Sequence, residues 1–162
     1  MPDFDGQRRQ LFNVTRKRGN PPLRPPWAVN EILFQEACTR CGDCLQHCPE
    51  SILQRESPNG YPLVNFNGGE CTFCKQCVDV CPTHALNLSV TPLWSAKAII
   101  NNSCLTLQGV ICHTCSEQCD ESAIQFTPQI GKVSQPLLNI NACTGCGACV
   151  ASCPTQAIEV RL

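Results

Sequence analysis

Sixteen cysteines gathered in four short stretches constrain this 162-residue chain more than any other feature. Three stretches read C-x2-C-x2-C-x3-C-P: CTRCGDCLQHCP (38–49), CTFCKQCVDVCP (71–82) and CTGCGACVASCP (143–154). This spacing is the run that binds a 4Fe–4S cluster in bacterial ferredoxins. Three thiolates within seven residues wrap three corners of one cubane. The fourth, at the start of a short helical turn opened by Pro49, Pro82 or Pro154, points away and reaches the neighbouring cluster. Structural zinc takes four ligands, typically as two separated pairs, which leaves a third and fourth cysteine per run surplus.

The cross-over predicts which thiols belong together. Cys38, Cys41 and Cys44 take Cys81, and Cys71, Cys74 and Cys77 take Cys48. The remaining stretch, CLTLQGVICHTCSEQCD (104–120), departs from the pattern: Cys104 stands five residues early, and Asp120 replaces the proline. Applied to the second half, the rule assigns Cys119 to Cys143, Cys146 and Cys149. It leaves Cys112, Cys115 and Cys153 one ligand short. Cys104 is the cysteine left unassigned, so a complete fourth cluster results if LTLQGVI (105–111) loops out, with Gly109 turning the loop back. A three-iron or labile site is the alternative. His47, His84 and His113 lie beside the clusters and are read as solvated, because cysteine fills every corner.

Around the clusters a unit repeats: a strand-like run, a cysteine stretch, a helical turn, a second strand. The leading runs are EILFQ (31–35), PLVNF (62–66), AIINN (98–102) and PLLNI (136–140). The trailing runs are SILQR (51–55), ALNLSV (85–90), AIQFT (123–127) and AIEVRL (157–162). ESPNGY (56–61) and PQIGKVSQ (128–135) read as hairpin connections. The predicted fold is α+β: two tandem bacterial ferredoxin-like modules, each of two short hairpins and two small helices stapled by two clusters. Residues 1–28 form a basic, proline-rich, largely irregular arm, 29–90 the first module, 91–103 a linker, and 104–162 the second module. Thr91 and Pro92 predict a short helix in the linker, and Trp94 an anchor between the halves.

The net charge of −1 hides an asymmetry: residues 1–24 sum to +4 and the remainder to −5. An acidic body, and an arm without interleaved aromatics, argue against nucleic acid. No apolar run approaches the roughly 20 residues that span a bilayer, and no secretory apolar stretch follows Arg8 and Arg9. A cytoplasmic protein with reduced thiols is the expectation, which favours metal over disulfides. There is no phosphate loop, dinucleotide fingerprint or nucleophile–base pair, so a carrier or accessory protein is expected rather than an enzyme.

The layout resembles the NapF family of ferredoxin-type proteins of the periplasmic nitrate reductase system. The resemblance rests on QRRQLF (7–12), RPPW (24–27), CTRC…ILQR (38–55), GYPLVNF (60–66), Trp94, the displaced Cys104 and the closing CTGCGACVASCP. It implies a cytoplasmic accessory factor that binds the catalytic nitrate reductase subunit before export and helps it mature. QRRQLF looks like a fragment of a twin-arginine signal without its apolar region. A soluble polyferredoxin electron carrier, or a detached electron-transfer subunit of a membrane complex, are the competing readings.

Overall fold

The structure is a computed structural model that describes residues 21–90 and 94–162. Residues 1–20, which carry most of the basic arm, and 91–93, with the expected helix start at Thr91 and Pro92, lie outside the described residues.

The element order is α1 (Glu31–Ala37), α2 (Asp43–Gln46), β1 (Leu53–Arg55), β2 (Pro62–Val64), α3 (Gln76–Asp79), β3 (Lys97–Ile100), α4 (Thr114–Glu117), β4 (Ile124–Gln129), β5 (Lys132–Leu138), α5 (Ala148–Ala151) and β6 (Ile158–Arg161). β1 and β2 form one antiparallel hairpin, and β4 and β5 another. The second turns on Ile130 and Gly131 alone, so both strands run further into the 128–135 bridge than the sequence suggests. β3 pairs with β6, the first run of its half with the last. The first half repeats this scheme in reduced form, as the single bridge between Ala28 and Leu86. Each half therefore has one hairpin and one first-with-last pairing, not two hairpins.

The expected strand EILFQ (31–35) is instead helix α1. Its unbroken apolar run suggested a strand, but the residues at its start decide otherwise. The Asn30 side chain accepts from the Leu33 N–H at 3.1 Å, capping the first turn. Glu31 lies in that turn, where carboxylates favour the helix, and accepts from Gln35 one turn on. The partner for the trailing run is then Trp27–Val29: the Val29 N–H donates to the Ala85 carbonyl and the Asn87 N–H to the Trp27 carbonyl. Likewise no helix occupies 94–96, and β3 takes up Lys97–Ile100 of the expected linker.

Burial begins earlier than an irregular arm to residue 28 predicts: Arg24, Pro25, Pro26 and Trp27 are all buried. Arg24 is a structural residue. Its guanidinium forks onto Glu31 at 2.8 and 3.0 Å, donates to the Pro62 carbonyl at 3.0 Å, and lies over the rings of Phe34 and Tyr61. Arg24→Met should therefore cost about 3 kcal/mol in thermal unfolding of the loaded protein, the low end for a broken ion pair because Glu31 stays half-exposed. The Arg24 hydrogen bond, more than burial opposes it, holds the Glu31 carboxyl below its ordinary value. A lowered carboxyl pKa contributes stability above the unfolded value, near 4.3, and loses it as pH falls through the folded value. That contribution is thus present in full at pH 7, and an Arg24→Met variant that unfolds there with wild-type stability contradicts the pairing.

The first half packs on Trp27, Phe34, Ile52, Leu53, Val64, Phe66 and Leu86. The second has a much smaller core: Ala98, Ile124 and Ile158 with the thiols Cys115 and Cys149.

Candidate metal centres

Each cysteine stretch places its third cysteine on a four-residue helix: Cys44 on α2, Cys77 on α3, Cys115 on α4 and Cys149 on α5. The fourth cysteine lies past the end of that helix, and it opens a reverse turn rather than a helical one. The Ser51 N–H donates to the Cys48 carbonyl, Ser122 to Cys119 and Gln156 to Cys153. Proline is the second residue of this turn, where φ near −60° suits it but most residues serve. Asp120 occupies the same place in the third stretch, so the missing proline is no defect there. Ser51, His84, Ser122 and Gln156 all take a left-handed φ of 49–55°, which re-aims the chain four times in the same way.

The structure gathers the thiols in four sets. Cys44 lies among Cys38, Cys41 and Cys81, and these four line one small cavity with Phe34 and Leu86. Cys48, Cys71, Cys74 and Cys77 line a second, walled by Trp27 and Ile52. Cys119, Cys143, Cys146 and Cys149 line another, walled by Ala98 and Ile124. Cys115 lies among Cys104, Cys112 and Cys153.

Burial, and then mutual repulsion, keeps the central thiols protonated. Burial pushes Cys44 up to about 12, and Cys38, Cys41 and Cys81 add to it. Cys77 and Cys149 also stand at about 12, and Cys115 at about 11, for the same reasons. Four thiolates facing one cavity are stable only around a cationic core that replaces the lost hydration and the protons. Among the described residues, no group of three or more His, Cys, Asp or Glu side chains converges as on a single metal ion. All-sulfur sets of four, three of them lining a common cavity, fit a polynuclear iron–sulfur core.

The displaced Cys104 reaches its set because the extra residues form a loop that closes on itself. The Cys104 N–H donates to the Asn101 carbonyl at the end of β3, much as Cys143 does to Asn139 after β5. Relative to its strand, then, Cys104 sits where a first cysteine belongs, and the insertion comes after it. The Val110 N–H donates to the Leu105 carbonyl at 2.8 Å, and Gly109 turns the chain at φ 85°.

Three contributors went unnoticed in the sequence. Arg55 donates to the carbonyls of Arg40 and Cys41, and Lys97 to that of Cys143, so a cation grips the backbone of two cysteine loops. Thr106 is buried, and its hydroxyl lies 3.1 Å from the Cys104 sulfur. Thr114 stands 3.6 Å from Cys112 and Thr155 3.8 Å from Cys153, so three thiols of this set face a hydroxyl. Elsewhere the one such pair is Cys81 with Thr83, among the described residues. The signal was the recurring Cys-x-Thr, which spacing rules for metal ligands ignore. Of the histidines, His47 and His84 are exposed, whereas His113 rests edge-on against Phe126 with centroids 4.3 Å apart.

The comparisons agree with this chemistry. The 4Fe-4S dicluster domain matches residues 37–85 and the 4Fe-4S binding domain residues 136–159; neither match reaches the 104–120 stretch. The chain is 40% identical to the ferredoxin-type protein NapF of Escherichia coli strain K12, over 98% of its own length and 96% of the relative's. It is 48% identical to the ferredoxin-type protein NapF of Haemophilus influenzae, over 86% and 78%. The methylamine utilization ferredoxin-type protein MauM of Methylobacillus flagellatus is 34% identical, over 86% and 67%.

Proposed function

Since the chain belongs to the NapF family of ferredoxin-type iron–sulfur proteins, we propose that it serves the catalytic subunit of a periplasmic nitrate reductase as a cytoplasmic accessory and maturation factor, acting before that subunit is exported. The observation that carries this reading is the match to NapF relatives across nearly the whole of both chains, a span that takes in the region between the two cluster-domain matches. Among the described residues no helix is long and apolar enough to cross a membrane.

The cofactors of this reading are four 4Fe–4S clusters. Cys38, Cys41, Cys44 and Cys81 would hold the first, and Cys71, Cys74, Cys77 and Cys48 the second. Cys104, Cys112, Cys115 and Cys153 would hold the third, and Cys143, Cys146, Cys149 and Cys119 the fourth. Bound there, such a cluster supplies one-electron chemistry and no substrate pocket, in keeping with a non-enzymatic role. The chain's own part is to exclude water with Phe34, Trp27 and Ile124, to grip the cysteine loops through Arg55 and Lys97, and to tune sulfur through hydroxyls and amides.

The experiment is a pull-down of the nitrate reductase catalytic subunit, in its cluster-free and loaded forms, by this protein. Capture of the cluster-free form is expected; capture of neither form removes the maturation reading. The second reading, a soluble polyferredoxin electron carrier, is favoured by the adjacency of the thiol sets. Reduction and reoxidation by a physiological donor and acceptor, without any stable complex, would select it.

Thr106 supports a quantitative expectation. A metal-bound sulfur only accepts hydrogen bonds, so the Thr106 hydroxyl must donate to Cys104, and donation to sulfur raises reduction potential. Thr106→Val keeps the shape and removes the donor. One of the four potentials in an anaerobic titration should fall, with iron content unchanged; four unmoved potentials would contradict the role.

A further inference from the structure

Within each half, the two thiol sets are held side by side by paired helices. α2 packs on α3 and so brings Cys44 beside Cys77; α4 packs on α5 and brings Cys115 beside Cys149. This arrangement leaves open which set of one half meets which set of the other. The contact between the halves decides it. The Cys71 N–H donates to the Cys146 carbonyl at 2.7 Å. Phe66 lies against Gly147 so closely that a Cβ there would stand 2.1 Å from its ring. Trp94, in the connector, packs on Phe66 and Phe73, with centroids at 6.0 and 6.1 Å. Val150 and Val160 of the second half join the core of the first. Cys71 and Phe73 belong to the loop of the second set; Cys146 and Gly147 belong to the loop of the fourth.

We propose that this joint orders the four cluster sites in one unbranched line across the molecule, first, second, fourth, third, with the Cys71–Cys146 contact as its midpoint. The inference rests on the four-cluster reading above. Phe66 and Gly147 are then positioning residues: they make no ligand bond but hold the two inner sites together. The two ends are unlike. One is the first set, with Cys41 exposed. The other is the Cys104 set, with its three threonines and a loop that exposes Val110 and Ile111.

The order is tested on the full chain, loaded anaerobically and reduced with dithionite, by electron paramagnetic resonance. A variant with Cys38→Ala, Cys41→Ala, Cys104→Ala and Cys112→Ala keeps only the inner sites. Its spectrum should be broadened and split by interaction between the two clusters. A variant with Cys71→Ala, Cys74→Ala, Cys143→Ala and Cys146→Ala keeps only the outer sites and should give two non-interacting signals. Each should retain about half of the roughly sixteen irons per chain that four cubanes require. An inner-site variant holding that iron, yet showing the plain sum of isolated signals, overturns the line. A wild-type iron content well below sixteen instead overturns the four-cluster reading beneath it. A second measurement needs no ligand variant. In the loaded wild type, hydrogen exchange read by mass spectrometry should find the Cys71 amide protected, and Gly147→Leu should remove that protection while the iron stays bound. Free exchange at Cys71 in the loaded wild type overturns the joint and the order with it.

Discussion

Cys104→Ala should strip the protein of one cluster and leave the other three. Iron per chain should fall from about sixteen to about twelve, or to about fifteen if Cys112, Cys115 and Cys153 retain a three-iron core. The effect is large because two losses coincide. The set loses a corner, and the buried Thr106 hydroxyl loses the sulfur 3.1 Å away, which alone costs about 1–3 kcal/mol. A variant with Thr106→Val in addition separates the two: it restores polar balance but cannot restore iron. The three-iron outcome carries its own paramagnetic signal in the oxidised state, where intact cubanes are silent. Full iron content in Cys104→Ala would show that the displaced cysteine is not a ligand.

Removing all iron, by chelation under mild oxidation, should unfold the second half almost completely and the first half partly. Among the described residues the second half buries, besides its thiols, small side chains and two isoleucines (Ala98, Thr106, Ala123, Ile124, Ala157 and Ile158) and no aromatic, too little to offset the entropy of ordering roughly sixty residues. The first half buries Trp27, Phe34, Ile52, Leu53, Val64, Phe66 and Leu86, and keeps the Arg24 ion pair without any metal. Metal binding is folding free energy in domains of this size. Hydrogen exchange on the iron-free protein should therefore show β3–β6 and β4–β5 amides unprotected, with residual protection near Phe34. A sharp thermal transition of the iron-free chain, within a few degrees of the loaded one, would refute the expectation.

How far the sequence carried depends on the range of the interaction. Spacing in the cysteine stretches is local, and local covalent geometry decides which thiols a few residues can gather. That is why Cys38, Cys41 and Cys44 group from their spacing, and why even the stretched 104–120 motif yields to counting ligands. The hairpins at ESPNGY and PQIGKVSQ were legible for the same reason, since tight turns are set by two to four residues. EILFQ was misread because its pattern is short and ambiguous, and because Asn30, the residue that settles it, stands just outside the run. The proline-rich RPPW was misread as part of an arm because nothing local says that Arg24 meets Glu31, Pro62, Phe34 and Tyr61. Thr106 was missed because the spacing describes ligands and not what hydrogen-bonds to them.

By itself, the sequence determined the chemistry: cysteine-held iron–sulfur sites, several of them, in a chain with little core to spare. Only the tertiary structure decided how the two halves meet. That meeting turns on Phe66 against Gly147 and on Cys71 bonded to Cys146, contacts between residues far apart in the chain. Such contacts come from the shapes of finished surfaces, and no spacing within either half encodes them.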